Sequence, residues 1–185
     1  MKKVAILFAR RDSVYKTLEN CDVWDEERDA RNWVGGSPVV AHPPCAQWGN
    51  LYKFATPNPA IKALAVLAVR RNGGVLEHPR GSKLWKHCRL PRPGQIDRWG
   101  GFTLPILQQW FGHRAEKATW LYICGVSPHL LPEMPFVLGK ASHVITRSRG
   151  CRKWPETTKA ERERTPSMLA EWLVEVARRT AATQF

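Results

Sequence analysis

The residue of this chain with the clearest potential for covalent chemistry is a cysteine that follows two prolines. The segment His42-Pro43-Pro44-Cys45 comes directly after the apolar run Pro38–Ala41, which predicts a strand. Two consecutive prolines stiffen a turn, so the direction of the Cys45 thiol is restricted. A thiol held at the end of a strand is placed for attack on a ligand. Free cysteine is also a common small core residue, and this second interpretation stays open.

A carboxylate is predicted to act beside this thiol. Glu77 ends the short apolar segment Val75–Glu77. A carboxyl group can hydrogen-bond N3 and the exocyclic amine of cytosine, and its protonated form would donate to N3 and make the ring more electrophilic. The Cys45 thiolate could then add to carbon 6 of that ring. Alternatively, Glu77 forms an ordinary strand-end ion pair.

Two cations, Arg114 and Lys117, could assist this chemistry. Either one could bind the ring carbonyl or a phosphate and lower the pKa of the thiol. Both could equally be solvated loop cations. Trp48, three residues beyond Cys45, could stack on a base, although tryptophan more often belongs to a core.

The elements that must position these residues follow from the hydrophobic pattern. Short apolar runs predict strands at 4–9, 21–25, 37–41, 75–77, 102–110 and 118–124, the last two as a hairpin-like pair. Helices are predicted at 12–20, 26–33, 59–71 and 165–180. This alternation predicts an α/β fold with a doubly wound, mostly parallel sheet, in one domain spanning residues 1–185.

The strand ends define where a ligand would bind. In doubly wound sheets, ligands bind beyond the carboxyl ends of the strands. Asp25, Cys45 and Glu77 all fall at or just after such predicted ends. We therefore expect these side chains to face one common site.

The charge of the chain indicates the class of partner. The 185 residues carry a formal net charge of +13. Such a balance favours a polyanion, either DNA or a pyrimidine nucleotide. The cation-rich segment 79–98 includes the predicted phosphate contacts Arg80, Lys83 and Lys86. A basic surface without a specific partner is the alternative.

The cysteine count and the hydropathy indicate the compartment. Five cysteines, an odd number, without a recognisable signal peptide favour free thiols in a reducing cytoplasm. Their spacing, together with that of the histidines, fits no standard zinc pattern, so we expect no metal site. No apolar run is long enough to span a membrane. The oligomeric state is not indicated.

Four short stretches, in their order along the chain, resemble the DNA cytosine 5-methyltransferases, and in particular small virus-encoded or prophage-encoded relatives. Pro43-Pro44-Cys45 resembles the catalytic Pro-Cys loop of that family, and Glu77-His78-Pro79 resembles its Glu-Asn element. Arg114 stands where a later arginine holds the cytosine carbonyl, and residues 164–170 resemble the closing motif with its proline-led helix. The resemblance implies a Rossmann-like methyltransferase core, with Cys45 as nucleophile and Glu77 and Arg114 as base contacts.

The resemblance also implies S-adenosylmethionine as the methyl donor. The residues that would bind it are Phe8, Asp22 or Asp25, Pro43, Thr165 and Pro166. The chain departs from the family in lacking the glycine-rich turn after the first strand, since Phe8–Ser13 contains no glycine. It also has no room for a separate target-recognition domain. Two further hypotheses therefore stand beside the DNA-modifying enzyme: an inactive nucleic-acid-binding or partner-binding module, and an enzyme acting on free pyrimidine nucleotides.

Overall fold

The fold is α/β, built on a six-stranded sheet in the spatial order β2-β1-β3-β4-β6-β5. The computed structural model describes residues 3–44, 59–146 and 154–181, of which 59–62 and 181 are described as helical backbone only. The strands are β1 (Val4–Leu7), β2 (Cys21–Trp24), β3 (Val39–Ala41), β4 (Gly74–Pro79), β5 (Phe102–Leu107) and β6 (Ala118–Cys124). The helices are α1 (Pro59–Asn72), α2 (Leu84–His87), α3 (Lys159–Glu163) and α4 (Ser167–Ala181).

The sheet is mixed, so the prediction of a mostly parallel sheet is wrong. β1 pairs in parallel with β2 and β3, and β3 pairs in parallel with β4. β6 runs antiparallel to both β4 and β5. The predicted hairpin-like pair, β5 and β6, is confirmed. The architecture agrees with a Rossmann-like fold only in its general α/β character.

Successive side chains of a strand point to opposite faces of the sheet, and helices cover both of these faces. On one face, Ile6 and Val40 pack with α4 in an apolar cluster that includes Leu173. On the other face, Leu7 and Ala41 pack in a second cluster with buried residues of α1. The central parallel strands β1 and β3 are thus buried on both sides, which explains their continuous apolar runs.

Two predicted helices are absent from the first half of the chain. Residues 12–20 form only a short 3-10 turn, Val14–Thr17, and residues 26–33 form only Ala30–Asn32. Residues 26–33 are largely exposed and charged and have no apolar stripe to bury against the sheet. Residues 12–20 do bury Tyr15 and pack Val14 and Leu18 against the core, and a single 3-10 turn is enough to place these three side chains there. The chain turns after Asp25, whose Oδ1 accepts hydrogen bonds from the backbone N–H groups of residues 27 and 28.

The strands β1 and β4 end at residues other than those predicted, and both ends lie near predicted site residues. β1 ends at Leu7 because Phe8 adopts a left-handed conformation with a φ of 61°. β4 extends to Pro79 because its antiparallel partner continues the pairing to Thr119. Glu77 therefore lies within a strand rather than at its end.

A buried ion pair fastens the loop before β5 to the end of α1. Arg70 donates to Asp97 Oδ2 at 3.0 Å and to the Tyr122 hydroxyl at 3.0 Å, and that hydroxyl donates to the same Asp97 oxygen at 2.8 Å. The other Asp97 oxygen accepts from the backbone N–H groups of Trp99 and Gly101. A Cβ on Gly101 would lie 2.2 Å from the Tyr122 hydroxyl, so this close approach requires glycine.

In the described ranges, no helix has the length and apolar character needed to cross a membrane.

Candidate functional site

Two adjoining cavities lie beyond the carboxyl ends of the parallel strands. The Glu77 cavity has a volume of about 590 Å³ and is lined by residues that include Tyr15, His42, Glu77 and Lys117. The Asp25 cavity has a volume of about 650 Å³. Both volumes lie within the usual range for small-molecule sites, roughly 300–1,000 Å³. The residues that line both cavities are Phe8, Ala9, Arg10, Asp12 and Pro44.

Glu77 is held in place by side chains from two other parts of the chain. Its side chain is only 13% exposed. Oε2 lies 3.1 Å from His42 Nδ1, just after β3. Oε1 accepts a hydrogen bond of 3.0 Å from Gln108 Nε2, just after β5. Gln108 is fully buried and its amide also donates to the Thr119 hydroxyl at 3.1 Å, so the carboxylate belongs to a fixed network.

Tyr15 completes this network on the far side of His42. Its hydroxyl lies 2.9 Å from His42 Nε2, and the two rings are 5.3 Å apart at their centroids. Tyr15 is buried, and burial raises its pKa well above the ordinary value, with the negative charge of Glu77 adding to the effect. The tyrosine therefore stays protonated at neutral pH.

Glu77 is ionised at neutral pH despite its burial. Burial acts to raise its pKa, but the hydrogen bond from His42 and the positive charge of Lys117 outweigh this effect and lower the pKa to about 2. A carboxylate in this state accepts hydrogen bonds and does not donate them. At rest, the group therefore offers the Glu77 cavity a negatively charged acceptor.

His78 also lines the Glu77 cavity, and it is neutral. Burial lowers the pKa of His78 to about 4, although the Glu77 carboxylate and the nearby Pro43 carbonyl act to raise it. The residue is 1% exposed. Within residues 3–44, 59–146 and 154–181, neither ring nitrogen makes a hydrogen bond of acceptable geometry. The pKa effect of Pro43 thus reflects proximity rather than a well-formed hydrogen bond.

A segment that precedes α4 forms one wall of the Glu77 cavity. Arg162, Glu163, Arg164 and Thr165 line it. Ion pairs from Glu163 to Arg10 and from Arg164 to Asp12 tie the segment to the turn after β1. The Lys117 ammonium also donates to the Arg164 carbonyl at 3.2 Å. The segment thus approaches from one side while the ends of β3 and β4 form the other.

Asp25 lines the second cavity, but its oxygens are already engaged. Oδ2 pairs with Lys16 at 2.7 Å, and Oδ1 accepts the two backbone hydrogen bonds of its turn. The hydrogen bond from Lys16 is the main reason that its pKa is lowered. Asp22, the alternative cofactor residue, instead binds Arg28 and the indole N–H of Trp24.

Three side-chain-bearing residues of the cavity walls adopt positive φ angles. The angles are 61° at Phe8, 53° at Asp29 and 38° at Lys117. Such conformations cost on the order of 1–3 kcal/mol each and concentrate at functional sites. At Phe8, the chain makes the left-handed turn after β1 without the glycine that usually permits it.

The structure brings together some of the predicted site residues. Phe8, Pro43, Glu77, Lys117 and Thr165 line the Glu77 cavity, and Phe8 and Asp25 line the Asp25 cavity. Cys45 and Trp48 lie outside the described residues. Cys45 is nevertheless the next residue after Pro44, which lines both cavities.

Other predicted site residues are not among the residues that line either cavity: Asp22, Arg80, Lys83, Lys86, Arg114 and Pro166. Arg114 instead forms an exposed ion pair with Glu161 of α3. Arg80, Lys83 and Lys86 are exposed.

Three members of the network were not predicted as site residues from the sequence: Tyr15, His42 and Gln108. The signal for His42 was its position directly before the two prolines at a strand end. Tyr15 and Gln108 gave no local signal, since they meet His42 and Glu77 only through tertiary folding.

Comparison with known proteins finds no matching family model, curated protein or solved structure. The function is therefore argued from the chemistry of the two cavities.

Proposed function

We propose that this chain is an enzyme that modifies a pyrimidine base, transferring a methyl group to carbon 5 of cytosine in DNA through a covalent adduct with Cys45. The observation that carries the proposal is the Glu77 carboxylate, which is buried, ionised and fixed in the wall of the cavity that Pro43 and Pro44 also line. A negatively charged acceptor in such a place suits the amino edge of cytosine, which presents N–H donors.

Each residue would have a distinct role in the reaction. N3 would take a proton from water, and Glu77 would accept one hydrogen bond from the exocyclic amine and a second from the protonated N3. The protonated N3 would withdraw electrons from the ring, so the Cys45 thiolate could add to carbon 6. The pKa of about 2 favours this acceptor role over proton donation by Glu77. Once carbon 5 carries the methyl group, water would take the carbon 5 proton, the Cys45 thiolate would leave carbon 6, and N3 would return its proton to water.

The methyl donor proposed for this reaction is S-adenosylmethionine, and the Asp25 cavity is its proposed site. The left-handed turn at Phe8 bends the backbone at the cavity wall, as the glycine-rich turn would do in the resembling family. Asp25 has few free acceptor positions, whereas Glu26 is exposed on the same wall. Glu26 is therefore the better candidate to bind the ribose hydroxyls. S-adenosylmethionine would supply an electrophilic methyl group to carbon 5 of the base.

The covalent step is testable with DNA that contains 5-fluorocytosine. Fluorine on carbon 5 cannot leave as the proton does, so the adduct accumulates. With S-adenosylmethionine present, wild type should form a complex that survives denaturation on a gel. Cys45→Ala should form none, whereas Cys88→Ala, the matched control, should behave as wild type. No complex from wild type, or an equal amount from Cys45→Ala, would refute the mechanism.

One observation favours a non-catalytic alternative. The Arg114 guanidinium is paired with Glu161 rather than placed in the Glu77 cavity, so the expected contact to the ring carbonyl is missing at rest. An inactive module would bind DNA through its basic surface, with strong salt dependence and no sequence preference. It would show no S-adenosylmethionine binding by calorimetry, and Cys45→Ala would leave its DNA affinity unchanged.

The volume of the Glu77 cavity is also compatible with a free nucleotide as the substrate. About 590 Å³ suits a small molecule, and the arginines of the wall could bind its phosphate. Parallel assays with dCMP and with a cytosine-containing oligonucleotide separate the two substrates.

A further inference from the structure

A continuous chain of hydrogen-bonding side chains connects Tyr15, His42, Glu77 and Gln108 along the wall of the Glu77 cavity. We propose that His42 is a positioning residue: bound at Nε2 by Tyr15, it donates from Nδ1 and holds the Glu77 carboxylate in one orientation for a ligand that presents an amine and a ring N–H on one edge. This inference rests on the proposed function for the identity of the ligand, but not for the network itself.

The tautomer of His42 follows from its two neighbours. A neutral imidazole carries one proton, on either Nδ1 or Nε2. The Tyr15 hydroxyl keeps its proton at neutral pH and can donate it to Nε2 at 2.9 Å. The Glu77 carboxylate can only accept, so Nδ1 carries a proton, and Nδ1–H donates to Glu77 Oε2 at 3.1 Å. A histidine fixed in this way presents a donor, never an acceptor, to the carboxylate.

The carboxylate is fixed at both of its oxygens. His42 binds Oε2 and the Gln108 amide binds Oε1, so rotation of the carboxylate would break two hydrogen bonds. Each carboxylate oxygen has two acceptor positions. Within the described part of the chain, one position on each oxygen is used by the protein. The second positions are a matched pair of acceptors, which is what an amine beside a ring N–H requires.

The surrounding charges support the same state of Glu77. Lys117, ahead of β6, stabilises the carboxylate electrostatically, while the neighbouring His78 is neutral. Tyr15 is neutral as well. Removal of the His42 donor would therefore leave a buried carboxylate with Gln108 and the Lys117 charge as its remaining support among the described residues.

Two substitutions separate positioning from simple packing. In His42→Asn, the side-chain amide lies near the place of Nδ1 and can still donate to Glu77. In His42→Gln, the amide lies near the place of Nε2 and faces Tyr15 instead. A merely structural role would make both variants lose function to a similar degree. The positioning role predicts that the asparagine variant retains function while the glutamine variant and His42→Ala do not.

The first readout is the pKa of Glu77, measured by NMR on protein labelled with ¹³C-glutamate. Wild type and His42→Asn should titrate far below the ordinary glutamate value of about 4.3. His42→Gln and His42→Ala should titrate near or above that value, because burial then dominates. A Glu77 pKa that is equally low in all four proteins would overturn the proposal.

The second readout is the rate of adduct formation with the 5-fluorocytosine oligonucleotide. We expect His42→Asn to stay within about tenfold of wild type, and His42→Gln and His42→Ala to fall roughly a hundredfold or more, as positioning errors do. Equal rates for His42→Asn and His42→Gln would contradict the proposal. If wild type forms no adduct, the proposed function fails, and the NMR titration still decides the role of His42.

Discussion

The Nδ1 atom of His42 lies 3.1 Å from the Oε2 atom of Glu77, although the two residues are 35 positions apart in the chain. They meet because β3 and β4 are adjacent and parallel, with Ala41 opposite Leu76 in the register. The residues that follow these partners, His42 and Glu77, therefore both lie at the carboxyl end of β3. Strand pairing alone thus brings a base and an acid together.

The stability of the protein should depend on pH through Glu77. The folded pKa of about 2 lies below the ordinary value, so ionised Glu77 stabilises the fold above about pH 4.3, and this contribution is lost as the pH falls through 2. At ~1.36 kcal/mol per pKa unit the contribution is roughly 3 kcal/mol. We expect Glu77→Gln to unfold more easily in urea at pH 7, with the difference from wild type shrinking between pH 5 and pH 2.

The matched control for this titration is Glu175→Gln, which removes a half-exposed carboxylate from α4. Its stability difference from wild type should be small and nearly constant over the same pH range. A Glu77→Gln difference that does not change with pH would show that Glu77 is not stabilised as an anion.

Phe8 should be a site where glycine is better tolerated than alanine. Both substitutions remove the ring, but only glycine removes the strain of a Cβ at a φ of 61°. We expect Phe8→Gly to be about 1 kcal/mol more stable than Phe8→Ala in urea unfolding. The neighbouring Ala9 has no positive φ, so Ala9→Gly should destabilise the protein. Greater stability of Phe8→Ala would contradict the strained turn.

The loop before β5 should depend on Asp97. The side chains of Arg70 and Asp97 are only 9% and 10% exposed. Asp97→Asn would leave the Arg70 charge buried without its counter-charge, which typically costs 3–5 kcal/mol, and we expect about 3 kcal/mol in urea unfolding. Glu175→Gln, which breaks an exposed pair, should cost less than about 1 kcal/mol. A loss below 1 kcal/mol for Asp97→Asn would mean that this buried pair is dispensable.

The parts of the fold that the sequence predicted are those governed by burial. The runs that became β1 and β3 are apolar throughout, and the periodic segment 59–71 forms α1 almost as predicted. Strand direction was not predictable, because an apolar run buries the same side chains whichever way it is oriented. Segments 12–20 and 26–33 had helix-compatible residues but form only short 3-10 turns. Segment 26–33 has no apolar face, and segment 12–20 buries Val14, Tyr15 and Leu18 without a full helix.

The candidate site, like the fold, was predictable from the sequence only in part. Glu77 was predicted because it lies near the carboxyl end of a strand, whereas Phe8 and Pro43 were expected only from the family resemblance; all three line the Glu77 cavity. Gln108 could not be predicted, since it reaches Glu77 from 31 residues away, from the connection between the antiparallel strands β5 and β6. Nor could the pairing of Arg114 with Glu161, which depends on where α3 packs.

The common wall of the two cavities has a consequence for any pair of molecules that occupies them together. Phe8, Ala9, Arg10, Asp12 and Pro44 would touch both occupants at once. If the first occupant shifts that wall, the second occupant binds to the shifted wall. Each occupant then changes the affinity for the other by the same factor, as thermodynamic reciprocity requires. Cooperativity between the two occupants would therefore need no distant relay, because a few shared side chains suffice.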